Sequence, residues 1–150
     1  MCYKMNLKIF PESKYKVECD HVLYFDGCCK GNPGAGGAGA VLYHKGEEIW
    51  GSSKFIGGRA TNNIAEYSGL IIGLEEAIIR EIKELTVKGD SQLVIKQMRK
   101  EYQVKSPKLL LLNEQANALS EYFTNITFEH IYRDKNKRAD ELSNMALIWK

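Results

Sequence analysis

Two short runs of this sequence, "HVLYFDG" and "ELTVKGD", are apolar on both faces, and each reaches an aspartate, Asp26 and Asp90. A strand that is apolar on both faces is typical of the centre of a sheet that helices cover on each side. In such α/β sheets, ligands bind beyond the carboxyl ends of the strands, near the point where the strand order reverses. If the two strands are neighbours, both aspartates are therefore predicted to project into one crevice.

The segment between these runs predicts an antiparallel meander followed by a helix. "AGAVLYHKGEEIWGSSKFIGG" contains two β-rich runs, with Lys45-Gly46 as the hairpin turn and Gly57-Gly58 closing the third strand. Apolar residues then recur at helical spacing, and Thr61, Asn62 or Asn63 is available to cap the start of the helix. The predicted apolar face comprises Ile64, Tyr67, Leu70, Ile71, Leu74, Ile78, Ile79 and Ile82.

The rest of the chain alternates helix and strand patterns. "SQLVIKQMRK" and "PKLLLLNEQANALSEYF" predict helices that begin at a serine and at Pro107, "NITFEHIYR" predicts a strand, and a polar turn and a final helix follow. The order β-β-β-α-β-α-α-β-α indicates an α/β fold in which parallel crossovers join an antiparallel meander. We expect one domain over 21–150, preceded by an extension over 1–20 that is either an edge strand or a loose segment.

Composition sets bounds on the function without deciding it. The 150 residues are 44% hydrophobic and 27% charged, typical of a globular domain, and a net charge of +2 is too small to indicate a nucleic-acid partner. The four cysteines lack metal-binding spacing, so we expect reduced thiols. No apolar run approaches the ~20 residues of a membrane span, and the N-terminus lacks a signal-peptide core. We expect a soluble, cytoplasmic protein that is a monomer.

The glycines after Asp26 are open to two interpretations. Gly34 to Gly39 satisfies G-x-G-x-x-G after a strand, which is the pattern of a dinucleotide-binding loop. That loop must lead directly into a helix whose amides hold the pyrophosphate, whereas "AVLYHKGEEIW" is β-rich and soon turns. The context therefore favours the turn and open strand of a hairpin that keeps bulk away from the space above Asp26.

Two more carboxylates stand near the starts of predicted helices, Glu66 in the first and Asp140 in the last. Any one acidic residue in such a place is more often a cap or a solvated charge. Four packed together would repel one another and raise at least one pKa unless cations neutralise them. Oxygen ligands without histidine or thiolate favour Mg²⁺ or Mn²⁺, and two such ions about 4 Å apart support phosphodiester cleavage. Asp26, Glu66, Asp90 and Asp140 together predict metal-dependent phosphoryl chemistry.

Four blocks around these acids resemble the signature of the ribonuclease H type 1 family: "YFDGCCKGNPGAGGAGAVLY", "TNNIAEYSGLIIGLEEA", "VKGDSQLVIKQM" and "HIYRDKNKRADELSN". The blocks occur in the family's order, and the resemblance covers about 21–147. It implies a five-stranded mixed sheet with helices on both faces, and an endonuclease that hydrolyses the RNA strand of RNA–DNA hybrids, leaving a 5′-phosphate and a 3′-hydroxyl. It also implies that the four acids bind two catalytic Mg²⁺ ions, for which Mn²⁺ is a possible substitute.

By the same resemblance, a second set of residues would contact the hybrid. The residues at positions that touch the 2′-hydroxyl, the group by which RNA is told from DNA, are Gly27, Cys28, Asn63 and Gln92. Thr61 and Asn62 match a pocket for a phosphate of the DNA strand, and they are equally good helix caps. Asn32 is a further candidate substrate contact.

Two residues, His130 and Arg133, are candidates for a positive charge beside the acidic residues. Many family members carry a histidine there that is thought to help the product leave. His130 is in phase with Ile126 and Phe128 on the last predicted strand, as a structural histidine would be, and Arg133 at the strand's end could supply the charge instead. We favour Arg133 over His130 as the catalytic assistant.

The basic surface that contacts the substrate is expected to be small. "MRKEYQVKSPKLLLL" is too short for the basic protrusion that some family members insert, and its basic residues form either a solvated face or a limited phosphate contact. Two other functions remain open, namely a hybrid-binding module without turnover and a related fold acting on another phosphate substrate. The N-terminal methionine and the compact ending favour a standalone enzyme over a fragment of a reverse transcriptase.

Overall fold

The computed structural model of the chain describes residues 18–148. Its strands are β1 (His21–Gly31), β2 (Gly34–His44), β3 (Glu47–Ala60), β4 (Glu84–Gly89) and β5 (Asn125–His130). Its helices are α1 (Asn62–Ile79), α2 (Gln92–Met98), α3 (Pro107–Ser120) and α4 (Lys137–Ile148), with a 3₁₀ turn at Arg133–Lys135 before α4. The element order is the one predicted from the patterns, so the α/β fold class is confirmed.

The five strands form one mixed sheet in the order β3-β2-β1-β4-β5. β1 is antiparallel to β2 along its whole length, β2 is antiparallel to β3, and the pairs β1–β4 and β4–β5 are parallel. The parallel register of β1 with β4 ends at the pair Phe25↔Gly89. Asp26 and Asp90 therefore come directly after the last parallel pair, at one edge of the two central strands.

The prediction that Asp26 ends the first strand is wrong. β1 continues to Gly31, because the glycine-rich strand β2 pairs with it from Asp26↔Gly39 to Gly31↔Gly34. Asp26 instead marks the point at which β1 loses β4 as a neighbour while keeping β2. Its side chain stands at the opening between two strands that diverge.

Of the two glycine sites predicted to shape the meander, the turn at Lys45-Gly46 is confirmed and the strand end at Gly57-Gly58 is wrong. Lys45 and Gly46 have φ of 51° and 83° and form the predicted turn between β2 and β3. Gly57 does not close β3: with φ of 111° it lies at a register shift, and the strand continues to Ala60. The segment Gly34–Gly39 lies inside β2 with no helix after it, so the dinucleotide-loop interpretation is excluded.

Helices cover both faces of the sheet. On one face, buried residues of α1 to α3, such as Leu74 of α1, share a core with Leu23 and Phe25 of β1, and on the other face α4 packs on Val41. Ile79, predicted to widen the buried face of α1, is 73% exposed, because it lies one turn after the exposed Glu75 on the outward side of the helix. Ile82, predicted to lie on the same helix face, is buried but follows the end of α1. Within the described range, no helix has both the length and the apolar character that crossing a membrane requires.

The beginning of the described chain lies along β4. The Cys19 backbone N–H donates to Thr86 Oγ1 over 3.2 Å, and Glu18 pairs with Lys88. The remainder of the predicted extension, 1–17, lies outside the described residues, so the domain boundary at 20/21 stays a prediction. The described cysteines Cys19, Cys28 and Cys29 are free thiols.

Candidate active site

Two glycines allow α1 to lie directly on β1. A Cβ added to Gly27 would stand 2.2 Å from the carbonyl carbon of Ala65 and 2.3 Å from the backbone nitrogen of Glu66. A Cβ on Gly69, one turn along α1, would stand 2.5 Å from the carbonyl oxygen of Asp26. Because only glycine fits at both contacts, the start of α1 is held against the strand, which brings Glu66 beside Asp26.

The glycine-rich strand β2 does the same for α4 on the opposite face. A Cβ on Gly39, the ladder partner of Asp26, would stand 2.5 Å from the Ala139 carbonyl oxygen, and one on Gly37 would stand 2.2 Å from that of Ser143. The absence of side chains in β2 lets the first turn of α4, which carries Asp140, approach the central strand. The glycines of both contacts thus allow α1 and α4 to pack closely on either side of Asp26.

The carboxylates converge at this edge of the sheet. One oxygen from each of Asp26, Glu66 and Asp90 lies within 4.8 Å of the others. Asp140 neighbours Asp26 closely enough to raise the pKa of Asp26 both through a side-chain hydrogen bond and through charge repulsion. Residues from β1, α1, the end of β4 and α4, widely separated in sequence, therefore form one acidic cluster.

The electrostatics of the cluster oppose its ionisation in the absence of cations. Burial, followed by repulsion from Asp90, raises the pKa of Asp26 to about 8, although a backbone hydrogen bond from Gly27 favours the charged form. Burial also raises the pKa of Glu66 well above its usual value, and repulsion from Asp26 and Asp90 adds to this effect. The residues that the structure describes supply too little positive charge and hydrogen bonding to balance these acids.

Two buried carboxylate oxygens without a described hydrogen-bond partner indicate that a cation would balance the charge of these acids. Glu66 Oε1 and Asp90 Oδ2 are buried and have no hydrogen-bond partner among the residues described. A buried carboxylate oxygen without a donor costs free energy that a cation would recover. Since the donors are all oxygens, the set fits hard divalent ions such as Mg²⁺ or Mn²⁺.

Asn136 is a component of the site that sequence reasoning missed. It is 1% exposed, and its Nδ2 donates to the Phe25 carbonyl oxygen over 2.9 Å, next to Asp26. Its own carbonyl oxygen accepts from the backbone N–H of Asp140 over 3.1 Å. Asn136 therefore ties the start of α4 to β1. The sequence signal was weak, since an asparagine in the polar "RDKNK" turn is ordinary.

A cleft of about 450 Å³ opens in front of the cluster. It is lined by Gly27, Cys28, Cys29, Asn62, Glu66, Asp90, His130, Ile131, Tyr132 and Arg133. Both candidates for the assisting positive charge, His130 and Arg133, thus line the same cleft. The His130 ring packs edge-on against the Tyr132 ring at 5.8 Å between centroids.

Two of the predicted substrate contacts, Thr61 and Asn32, form hydrogen bonds at the start of α1. Thr61 caps α1, since its side chain accepts from the Ile64 backbone N–H over 3.2 Å. Asn32, in the β1–β2 turn, accepts from the Asn62 backbone N–H over 3.1 Å, which joins that turn to the start of α1.

The remaining contacts divide between the cleft and its surroundings. Gly27, Cys28 and Asn62 line the cleft. Asn63 is half-buried in the first turn of α1, and Gln92 is exposed at the start of α2. Three of the seven predicted substrate contacts therefore line the cleft, and the other four lie in the β1–β2 turn and at the starts of α1 and α2.

Part of the positive charge in and beside the segment between α2 and α3 is already paired within the protein. Arg99 pairs with Glu101 over 3.0 Å, and Lys96 lies 5.0 Å from the centre of the Tyr102 ring. Lys100, Lys105 and Lys108 are exposed. A small basic surface remains available to a phosphate backbone.

Comparison with known proteins places this geometry in a family. A family model described as reverse transcriptase-like matches residues 24–146. A bifunctional protein of Mycobacterium tuberculosis is 44% identical over 127 residues, covering 84% of this chain and 35% of that protein, so the chain spans about a third of its length.

Two further relatives match over most of their own length. A ribonuclease H of Pseudomonas savastanoi pv. phaseolicola is 36% identical over 146 residues, covering 83% of this chain and 91% of the relative. The crystal structure of LC11-RNase H1 in complex with an RNA/DNA hybrid has a TM-score of 0.81 and 38% identity, covering 86% of this chain and 97% of that one. The chain belongs to the ribonuclease H type 1 family.

Proposed function

We propose that this chain is an endoribonuclease that hydrolyses the RNA strand of RNA–DNA hybrids with two Mg²⁺ ions, leaving a 5′-phosphate and a 3′-hydroxyl. The observation that carries the proposal is the acidic cluster, in which oxygens of Asp26, Glu66 and Asp90 lie within 4.8 Å of one another and two of the buried oxygens have no partner within residues 18–148. Family membership and the hybrid bound to LC11-RNase H1 support the choice of substrate.

The four acids would divide the work of holding the ions. Asp26 would contribute to both, because its carboxyl neighbours those of Asp90, Glu66 and Asp140. Bound divalent ions supply Lewis-acid chemistry, which lowers the pKa of an attacking water and stabilises the charge that develops on the phosphate and the departing 3′-oxygen. Asn136 keeps α4 and β1 in register, so that Asp140 stays beside Asp26.

Recognition of RNA would come from the walls of the cleft. Gly27, Cys28 and Asn62 line it, and Asn63 and Gln92 lie at the starts of α1 and α2. Groups of Gly27, Cys28, Asn63 and Gln92 would contact 2′-hydroxyls, which DNA lacks, whereas Asn62 would contact a phosphate of the DNA strand. Thr61 and Asn32 stabilise the start of α1 and the adjoining turn, where a phosphate of the DNA strand would bind.

The experiment is a cleavage assay with an RNA–DNA hybrid, duplex DNA, duplex RNA and ATP, each with Mg²⁺ and with a chelator. We expect cleavage of the hybrid alone, only with metal, and products with 5′-phosphates. Asp26→Asn should abolish it, whereas Asp134→Asn, the same change at an exposed aspartate of the 3₁₀ turn, should not. Binding of the hybrid without cleavage would instead support the binding-module alternative, and an active Asp26→Asn variant would refute the metal assignment.

A further inference from the structure

Tyr132 presents a large ring to solvent from a fixed backbone. The ring-bearing residue is 77% exposed. The residue before it is anchored by the Ile131 N–H, which donates to the Gly89 carbonyl oxygen over 2.9 Å, and the Tyr132 carbonyl oxygen accepts from the Lys135 N–H over 2.9 Å. The ring also packs edge-on against His130, with 79° between the ring planes. Its position is therefore set before any ligand arrives.

The ring stands at the acidic cleft. β4 and β5 are parallel with Gly89 opposite His130, so Asp90 and Tyr132 leave the sheet at the same edge. Tyr132 lines the cleft together with Glu66, Asp90 and Arg133. A phosphodiester held at the acids would place the adjoining nucleotide within this cleft, where its sugar needs an apolar surface and its phosphate needs a cation.

The two other exposed tyrosines in the described part of the chain do not share this arrangement. Tyr102, 46% exposed, lies between α2 and α3 with Lys96 at its ring. Tyr122, 65% exposed, lies just before β5, at the end of that strand opposite to His130. Tyr122 therefore has the exposure of Tyr132 without its position, which makes it a matched control.

We propose that the Tyr132 ring is a packing surface for the nucleic-acid strand that enters the acidic cleft, with its face against the sugar or base beside the reacting phosphate. The inference rests on the proposed function and adds a residue to its substrate contacts. Aromatic rings bind nucleotides through their faces with little dependence on sequence. The phenyl ring rather than the hydroxyl carries the interaction, and His130 holds the ring in its edge-on orientation.

This role predicts a distinct set of effects. Because the ring is uncharged, it adds to affinity without displacing counterions, so its removal should leave the salt dependence of binding unchanged. Removal of the Arg133 charge should make that dependence shallower. Since the ring packs on a nucleotide both before and during cleavage, its loss should raise KM and leave kcat nearly unchanged.

The test compares Tyr132→Ala, Tyr132→Phe and Tyr122→Ala. Dissociation constants for a labelled RNA–DNA hybrid are measured by fluorescence anisotropy at several salt concentrations, and KM and kcat are measured in Mg²⁺. Tyr132→Ala should raise Kd and KM by roughly 5- to 50-fold, in the range of losing one aromatic stacking contact. Tyr132→Phe should stay within about 2-fold of the wild type, since it keeps the ring, and Tyr122→Ala should match the wild type.

The outcomes separate this inference from the proposed function. An unchanged Kd in Tyr132→Ala overturns the inference, as does a Tyr132→Phe variant as weak as the alanine variant, which would assign the effect to the hydroxyl. If the wild type binds the hybrid without cleaving it, the proposed function fails while the ratio of Kd values still decides the role of Tyr132. A wild type that binds no hybrid overturns both.

Discussion

Helix α1 carries two adjacent polar side chains, Glu66 and Tyr67, whose surroundings differ. The buried Tyr67 hydroxyl donates to Gln97 Oε1 over 2.6 Å and accepts from Asn113 Nδ2 over 3.1 Å, and Asn113 Oδ1 in turn accepts from Asn117 over 2.9 Å. Glu66 Oε1 is equally buried but has no partner among residues 18–148. One polar cluster is completed by protein atoms, and the other is not.

This difference in hydrogen bonding distinguishes a structural polar cluster from a ligand site. A satisfied buried network stabilises the fold, whereas unpartnered buried carboxyls cost stability and keep their lone pairs for a ligand. The Tyr67 network joins α1, α2 and α3, while the Glu66 cluster joins the middle of β1 and the carboxyl end of β4 to the starts of α1 and α4. Substitutions in the two clusters should therefore affect stability and activity in opposite ways.

The largest expected effect is on activity, at Asp26. Asp26→Asn should lower kcat by at least about 10²-fold, the size typical of removing one preorganised electrostatic contact. The same change should raise the melting temperature of the metal-free protein above pH 8, because it removes a repelling charge. Cleavage rates and thermal unfolding of the same preparation check both effects. A variant that is less stable and still active would assign Asp26 to the structural cluster instead.

The converse change is at Tyr67. Tyr67→Phe leaves Gln97 and Asn113 without their shared partner, so the free energy of unfolding should fall by about 1–3 kcal/mol. Because the acidic cluster is untouched, kcat and KM of the folded enzyme should stay near wild type. Chemical denaturation and steady-state kinetics measure the two, with Tyr122→Phe as an exposed control. Normal stability combined with slow cleavage would show that the two clusters are not separate.

A third prediction uses pH. The pKa of Asp26 is raised from 3.8 to about 8 in the folded protein, so the metal-free folded state holds a proton that the unfolded chain releases between these values. The free energy of unfolding should therefore fall by about 1 kcal/mol or more as pH rises through this window. Mg²⁺ should offset the loss increasingly towards pH 8. Melting temperatures with and without Mg²⁺ test this, and Asp26→Asn should show a weaker dependence on both.

The smallest effect concerns the charge beside the acids. Arg133→Ala should lower kcat several-fold, because it removes a cation from the cleft wall, whereas His130→Ala should act mainly on KM through the Tyr132 ring. Steady-state kinetics of both variants on the hybrid decide the matter. An unaffected Arg133 variant alongside a His130 variant with crippled turnover would reverse the assignment.

Sequence patterns predicted the elements because periodicity reports burial directly. The doubly apolar runs predicted β1 and β4, and the helical spacing predicted α1 with Thr61, Asn62 or Asn63 as its cap, of which the structure uses Thr61. Carboxyl groups at the ends of neighbouring elements were expected to meet, and the structure brings Asp26, Glu66 and Asp90 together. Their catalytic role stays a prediction.

What the patterns missed depends on contacts between distant segments. The continuation of β1 past Asp26 follows from pairing with the glycines of β2, and the exposure of Ile79 follows from its place on the outward side of α1. Asn136 gains its importance from a hydrogen bond to the Phe25 carbonyl oxygen, and Tyr132 from its place beside Asp90. No local spacing encodes either contact.

The central claim is that four carboxylates hold a pair of divalent ions at the point where β4 ends and β1 continues without it. Anomalous diffraction from crystals soaked in Mn²⁺ tests it most directly. We expect two peaks about 4 Å apart, both in contact with Asp26, with Glu66, Asp90 and Asp140 completing the ligands. Ordered crystals with all four carboxylates free of metal, or Mn²⁺ bound only elsewhere on the chain, would contradict the account.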